Sequence, residues 1–149
     1  MFRGSSTHKL DPKGRISIPT RFKAVMDQEN CPGLMLSRMD QNIVAYTYGQ
    51  WEKIEQRILS LAEKSDAMRR FRRVFVGGAH DCPLDSQGRI LIPPSLRSYA
   101  GLEKNIVLVG VLDHFEILSE EQWNRETEQL ETDMENDETL RAEIARLGL

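Results

Sequence analysis

Residues 10–19 read LDPKGRISIP, and residues 84–93 read LDSQGRILIP. Seven of the ten positions are identical, and the two phrases lie 74 residues apart. The likeness continues downstream, where Gln50 and Trp51 correspond to Gln122 and Trp123 at a spacing of 72. Self-similarity over this much of a 149-residue chain indicates a tandem duplication of one unit. Each unit carries an Asp and an Arg on the same short loop, and this loop is the first place to seek function.

The charge of the chain is divided between its two ends. Residues 1–100 hold 16 Lys and Arg against 10 Asp and Glu, whereas residues 101–149 hold 4 against 13. The formal net charge of −3 therefore conceals a basic part and an acidic tail. The basic part favours a polyanionic partner. The acidic tail either keeps the protein dispersed or is simply a solvated helix face.

The sequence lacks the marks of several protein classes. No apolar run is long enough to span a bilayer, and no secretory signal pattern opens the chain. Cys31 and Cys82 fall at unmatched places in the repeats, which favours two reduced thiols over a disulfide or a zinc site. His80 and His114 show no metal-ligand spacing, and no catalytic or nucleotide-binding motif occurs. We therefore expect a soluble, intracellular protein that is not an enzyme and uses no cofactor or metal.

Each repeat predicts the same order of elements. A short extended segment leads into the Gly-containing loop, and residues 15–18 then alternate polar and apolar side chains, so the two segments predict a β-hairpin. Pro19 and Pro93 suit the first position of helices over about 20–26 and 95–100. Two further strands follow in each repeat, at 34–36 and 43–48 in the first and at 106–111 and 115–118 in the second.

An amphipathic helix is predicted to end each repeat. In the first repeat, apolar side chains recur at helical spacing, namely Trp51, Ile54, Ile58 and Leu61. The corresponding helix begins near Ser119 and is expected to carry Trp123, Leu130 and Met134 inward. Together the elements predict a mixed α+β fold centred on strands, without the long parallel crossovers of an α/β enzyme.

The phrase Asp-x-x-Gly-Arg-Ile-x-Ile-Pro resembles the loop of the AbrB-type swapped-hairpin β-barrel, a fold of bacterial regulators and antitoxins. Two copies of it in one chain that opens with Met-Phe-Arg-Gly resemble the MraZ family, regulators of bacterial division and cell-wall gene clusters. The resemblance implies two tandem β-hairpin/helix units that form a pseudo-symmetric β-barrel with peripheral helices. We expect the first unit at 1–64, a connecting segment at 65–78, and the second unit with an acidic C-terminal helix at 79–149.

The loops are the expected site of DNA contact, because a turn braced by Asp can present Arg to a phosphate or to guanine. The candidate DNA-binding residues are Asp11, Lys13, Gly14 and Arg15 in the first loop, Asp85, Gly88 and Arg89 in the second, and Arg3, His8 and Lys9 before the first, with Arg21 and Lys23 after it. The second loop has Ser86 and Gln87 in place of Pro12 and Lys13, so we expect Arg15 to outweigh Arg89. One alternative stays open: Asp11 and Arg15 bridge one another across a purely structural turn.

We expect a sequence-specific, DNA-binding transcriptional regulator. The resemblance implies that it acts on the promoter of its own division and cell-wall operon, through repeated elements in double-stranded DNA. It also implies a ring-shaped homo-oligomer in the cytoplasm, associated with the nucleoid and not with a membrane. The alternative function is an AbrB-like antitoxin or protein-interaction module whose acidic tail blocks a basic partner. Residues 69–73, four Arg around a Phe, resemble a nucleic-acid patch but are also typical of a solvated helix face.

Overall fold

The fold is taken from a computed structural model, which describes residues 1–62 and 65–149. The chain divides into two compact units, residues 1–119 and residues 120–149. The predicted end of the first repeat, at residue 64, lies outside the described residues. The predicted connecting segment corresponds to a helix between the strands of the two repeats, and the boundaries 1–64, 65–78 and 79–149 stay a prediction.

The first unit contains eight strands and four helices among its described residues. The strands are β1 Ser5–Lys9, β2 Arg15–Ser17, β3 Gly33–Met39, β4 Asn42–Tyr46, β5 His80–Pro83, β6 Arg89–Leu91, β7 Asn105–Gly110 and β8 Phe115–Ser119. The helices are α1 Thr20–Gln28, α2 Tyr48–Ser60, α3 Asp66–Gly77 and α4 Pro94–Tyr99. The same order of elements therefore occurs in both repeats, as the duplicated phrase predicts.

The strands of the two repeats pair with each other. One sheet has six strands in the order β1-β7-β8-β4-β3-β5, and the second sheet consists of β2 and β6 alone. The hairpin predicted around each loop is wrong, because β1 pairs with β7, β2 with β6 and β5 with β3, each from the other repeat. The two further strands of each repeat do form hairpins, β3 with β4 and β7 with β8. The loop between β1 and β2 still turns the chain, but it sends the two strands into different sheets.

The expected β-barrel is also wrong, because the two sheets do not close on each other in the described structure. The six-stranded sheet ends at β1 on one side and at β5 on the other. Apolar side chains from both repeats nevertheless share one core, which includes Phe2, Phe22 and Phe115 in mutual ring contact. A single core shared by two interleaved repeats explains why neither repeat is a separate unit.

Local sequence accounts for the ends of several elements. Helices α1 and α4 begin directly after Pro19 and Pro93, which occupy the capping position one residue before the predicted one. Strands β3 and β4 are joined by Asp40 and Gln41, both with positive φ (52° and 67°), the conformation that a two-residue hairpin turn requires. These elements agree with the predicted ones to within a few residues.

The amphipathic helices bury less than their spacing predicts. Helix α2 buries Trp51 against Val44 and Phe75, but Leu61 lies beyond its end and is exposed. The second unit comprises α5 Glu120–Asn136 and α6 Glu138–Arg146, and neither helix contains a fully buried residue. The inward orientation expected of Leu130 is therefore wrong, since half of that side chain is exposed. No helix in the described part of the chain is long and apolar enough to cross a membrane.

Candidate nucleic-acid interface

The first loop is held by a single carboxylate. Asp11 Oδ1 accepts hydrogen bonds from the backbone N–H groups of Lys13 (2.9 Å) and Arg15 (2.8 Å), while its Oδ2 accepts one from Arg15 Nε at 2.7 Å. Gly14 closes the turn by donating its N–H to the carbonyl of Asp11 at 2.9 Å. One side chain thus fixes both the backbone of the turn and the direction of the Arg15 guanidinium.

The second loop repeats this arrangement bond for bond. Asp85 Oδ1 accepts from the N–H groups of Gln87 (2.8 Å) and Arg89 (2.9 Å), and its Oδ2 accepts from Arg89 Nε at 2.9 Å. The bonds at the third loop position use backbone N–H groups, so exchanging Lys13 for Gln87 does not affect them. The sequence differences between the loops therefore leave their geometry unchanged.

These bonds shift the acidity of both carboxyls. Hydrogen bonding from the Arg15 backbone, followed by the Arg15 guanidinium and the Lys13 backbone, outweighs desolvation and lowers the pKa of Asp11. The pKa of Asp85 is lowered in the same way, first by the Arg89 backbone. Both groups are therefore ionised at neutral pH and remain available to hold their arginines.

The predicted alternative, an ion pair across the turn, is present in both loops. It engages only Nε of each arginine, and Nη1 and Nη2 have no partner within the described residues. The Arg15 and Arg89 side chains keep 31% and 26% of their surface exposed. An arginine fixed at Nε and open at its outer nitrogens is pre-oriented for a bidentate acceptor such as a phosphate or a guanine edge.

The strand pair β2–β6 brings the two loops together. Its register sets Arg15 opposite Leu91 and Ser17 opposite Arg89, so both arginines lie on one face of the ribbon. Ile16 and Ile90 lie on the other face and are buried in the core. Two further bonds join the repeats, from Ile18 N–H to the Gly88 carbonyl (3.0 Å) and from Ile92 N–H to the Gly14 carbonyl (2.9 Å). The two loops thus form one surface, which we call the loop ribbon.

Each loop also receives a basic side chain from the other repeat. Arg97 of α4 lies against the first loop, where a Cβ added to Gly14 would meet its Nη1 at 2.5 Å. Lys23 of α1 lies against the second loop, where a Cβ added to Gly88 would meet its Nζ at 3.0 Å. Arg97 Nε is buried and has no hydrogen-bond partner within the described residues. The ribbon is therefore bordered by cations that the turns themselves do not use.

Lys23 lies at the second loop, whereas its place in the sequence predicted that its charge would lie at the first loop. Each Asp is matched by its own Arg, so the surplus positive charge comes from Lys13, Lys23 and Arg97. The surplus is thus shared between the two loops. Arg97 was not among the predicted site residues. The signal that could have found it is the repeat itself, since Arg97 lies 74 residues after Lys23, at the spacing of the duplicated phrase.

The other predicted residues form a separate cluster near the start of the chain. Arg21 donates from Nε to the Arg3 carbonyl (3.2 Å) and from Nη2 to Ser6 Oγ (3.0 Å), and His8 Nε2 lies 2.6 Å from the same hydroxyl. Burial and, next, the charge of Arg21 lower the pKa of His8, so His8 is a neutral group here. No hydrogen bond or ion pair among the described residues joins this cluster to the loops. Lys9 is exposed at the end of β1, two residues before Asp11.

Comparison with known proteins identifies the family. The family model described as "MraZ protein, putative antitoxin-like" matches the chain twice, over residues 1–74 and 75–144. The chain belongs to the MraZ family. It is 55% identical to the transcriptional regulator MraZ of Desulforapulum autotrophicum and 48% identical to that of Desulfosudis oleivorans, in each case over 149 residues and 100% of both chains. It is 43% identical to the MraZ regulator of Haemophilus influenzae over 127 residues, 83% of each chain.

Membership agrees with the duplication seen in the sequence, since the MraZ model matches once per repeat. MraZ proteins are transcriptional regulators and not enzymes. The chain therefore has a role in transcription.

Proposed function

We propose that this MraZ-family regulator binds double-stranded DNA through the loop ribbon. The observation that carries this proposal is the convergence of both loops, with their fixed arginines, on one face of the β2–β6 pair. A two-stranded ribbon fits the major groove, whose width is about 12 Å. On this basis Arg15 and Arg89 contact base edges or phosphates, and Lys13, Lys23 and Arg97 contact flanking phosphates.

The Asp–Arg hydrogen bonds are alike in the two loops, but Lys13 and Arg97 lie at the first loop and Lys23 at the second, so the larger share expected for Arg15 stays a prediction. We expect Arg15→Ala and Arg89→Ala each to weaken DNA binding by about 1–3 kcal/mol per engaged site. The assay is a fluorescence anisotropy titration of a duplex taken from upstream of the chain's own gene. Arg57→Ala, an exposed change on α2, is the matched control and is expected to bind like the parent.

Salt dependence separates phosphate contacts from base contacts. Each phosphate contact contributes a slope of about −0.9 to the dependence of log affinity on log salt concentration. Lys23→Gln and Arg97→Gln should each make that slope shallower by about one unit per engaged site and weaken all sequences alike. If neither substitution alters the slope, the proposed phosphate contacts are wrong. If the parent binds its upstream DNA no better than unrelated DNA, the proposal of sequence-specific regulation is wrong.

We further propose that the protein acts as a ring-shaped homo-oligomer on repeated elements in its own division and cell-wall operon promoter, in the cytoplasm at the nucleoid. A single ribbon offers few phosphate contacts, so several ribbons at fixed intervals would be needed for tight binding. Footprinting should therefore reveal protected elements at regular spacing. A single protected element together with a monomeric protein would contradict this arrangement.

A second candidate function is protein capture of the antitoxin kind, which the family description favours in its wording. In that case residues 120–149 would carry the contact. Those residues are helical, with Asp137 Oδ1 accepting from the Leu140 N–H at 3.0 Å at the start of α6. The Arg15 and Arg89 variants separate the two functions, because capture by the tail would be unaffected by changes in the loops.

A further inference from the structure

A surface of α3 combines exposed apolar side chains with positive charge. An open groove of about 390 Å³ runs between α3, the end of β3 and α4, and Arg38, Arg70, Phe71, Val74 and Tyr99 line it. Phe71 and Val74 expose 36% and 47% of their surface, although each is apolar. We call this surface the α3 groove.

Positive charge lines the groove. The Arg38 guanidinium carbon lies 4.7 Å from the centre of the Tyr99 ring, a contact that holds this cation at the wall of the groove. Arg70 adds a second cation, and Asp40, which also lines the groove, offsets one of the two. The groove therefore suits an acidic ligand that also carries an apolar side chain.

The acidic tail, residues 120–149, has this chemistry. It holds 10 Asp and Glu against 3 Arg. On α5, Leu130 is half exposed, and Glu126 and Asp133 lie one turn before and one turn after it, on the same face. The apolar spot and the carboxylates of the tail thus complement the apolar spot and the arginines of the α3 groove.

We propose that the α3 groove receives the acidic tail of a second copy of this chain. Leu130 of one copy packs on Phe71 and Val74 of the next, and the carboxylates beside Leu130 face Arg38 and Arg70. The inference rests on the proposed homo-oligomer and assigns its interface. Groove and tail are different surfaces, so the contact is head-to-tail, and a head-to-tail contact that closes produces a ring.

The β5 edge of the six-stranded sheet is a poorer candidate for the contact between copies. Duplication has already paired most strands with the opposite repeat, and β1 and β5 are the edges of the six-stranded sheet. Strand β5 is four residues long, ends in Pro83 and carries a charged Asp81, features that oppose strand addition. Side-chain docking at the α3 groove does not require a free strand edge.

Two full-length variants test the contact. The groove variant is Arg70→Glu/Val74→Asp, and the tail variant is Glu126→Lys/Leu130→Lys. All four side chains are exposed, so each variant is expected to have the same melting temperature as the parent. Lys53→Glu, an exposed change on α2, is the control for altered charge.

Light scattering after size-exclusion chromatography gives the readout. The parent and the control should run as the same oligomer, and each variant alone should run near the chain mass of 17.1 kDa. Mixed in equal amounts, the variants should form a heterodimer of twice that mass, because the tail variant keeps an intact groove and the groove variant keeps an intact tail. This dimer cannot grow, since both remaining surfaces are damaged.

Other results would overturn the assignment. If the parent is an oligomer and either variant keeps the parent's mass, the ring stands and the α3–tail contact is wrong. If the variants are monomers and their mixture stays monomeric, the two surfaces are not partners of each other. If the groove variant keeps its mass but loses DNA affinity, the groove is a nucleic-acid surface instead. A monomeric parent would remove the proposed ring and this interface together.

Discussion

Gly14→Ala is expected to destabilise the protein more than the equivalent change Gly88→Ala. Both glycines have positive φ, +86° and +73°, so alanine at either place costs about 1–2 kcal/mol of backbone strain. They differ in what an added Cβ would meet. At Gly88 it approaches the end of a flexible Lys23 side chain at 3.0 Å, which can swing away at little cost.

At Gly14 the added Cβ would meet Nη1, Cζ and Nε of Arg97 at 2.5, 2.6 and 2.9 Å. Non-bonded heavy atoms prefer about 3.5–4.0 Å, so the guanidinium must move by about 1 Å. Its Nε is buried, so displacing the guanidinium disturbs the atoms packed around it, and overpacking of this kind costs about 1–3 kcal/mol. Gly14→Ala should therefore lower the free energy of unfolding by about 2–5 kcal/mol, against about 1–2 kcal/mol for Gly88→Ala.

Thermal melts measure the difference, with each kcal/mol expected to shift the melting temperature by about 2–4 °C in a chain of this size. The double variant Gly14→Ala/Arg97→Ala completes the test, because removing Arg97 should leave only the backbone strain. Its loss of stability, measured against Arg97→Ala alone, should match that of Gly88→Ala. Equal losses at the two glycines, or no relief from Arg97→Ala, would refute the proposed contact between repeats.

Three further predictions concern single side chains. Asp11→Asn should keep the turn but release Arg15. The amide oxygen can still accept from the backbone N–H groups of Lys13 and Arg15, but the amide nitrogen that replaces Oδ2 is a donor and cannot accept from Arg15 Nε. Competition with unrelated DNA should then reveal a lower preference for the specific duplex. The carboxylate form of Asp11 is favoured in the fold, so its stabilisation is present above its ordinary pKa of 3.8 and lost as pH falls through the lower folded-state pKa. The free energies of unfolding of the parent and Asp11→Asn should therefore differ most near neutrality and converge as pH falls through that range. Burial alone would lower the pKa of His114, but hydrogen bonds to Glu116 and Asp113 raise it above 6.5. Protonated His114, stacked on Tyr46, therefore stabilises the fold below pH 6.5, and this stabilisation is lost as pH rises through the folded-state pKa. His114→Gln should flatten the dependence of melting temperature on pH in that window, and an unchanged profile would contradict the assignment. Ser37→Ala should lower the free energy of unfolding by about 1–3 kcal/mol, because the buried Oγ donates to the Phe75 carbonyl of α3 at 2.6 Å; a melt identical to the parent's would contradict this role.

The sequence predicted the features that depend on neighbouring residues. Alternation identified β2, proline marked the starts of α1 and α4, and the Asp-x-x-Gly-Arg phrase identified the turn with its bracing carboxylate. Each of these is decided within a few residues, so local chemistry is sufficient. The family also followed from the residues, because the same phrase occurs twice in one chain.

The features that the sequence did not predict depend on long-range pairing. Period-two alternation indicates a strand but not its partner, and β1 finds its partner about 100 residues away in β7. The same exchange moves Lys23 to the loop of the other repeat and brings Arg97 to the first loop, so ranking the loops by neighbours in sequence used the wrong neighbours. Apolar spacing predicted that the tail is helical, yet Leu130 remains exposed, because spacing describes a face and not what covers it.

The interleaving of the repeats allows the two loops of the ribbon to change independently during evolution. Were the two repeats identical chains encoded by one gene, any mutation in one loop would appear in both, and, on the proposed function, only symmetric DNA elements could be matched. In this chain the loops are encoded 74 residues apart yet lie side by side, and they have already diverged, with Pro12 and Lys13 in one and Ser86 and Gln87 in the other. The two loops of the ribbon therefore differ in chemistry, and the ribbon is not symmetric. If the proposed ring of such ribbons binds DNA, it would distinguish an element from the same element inverted.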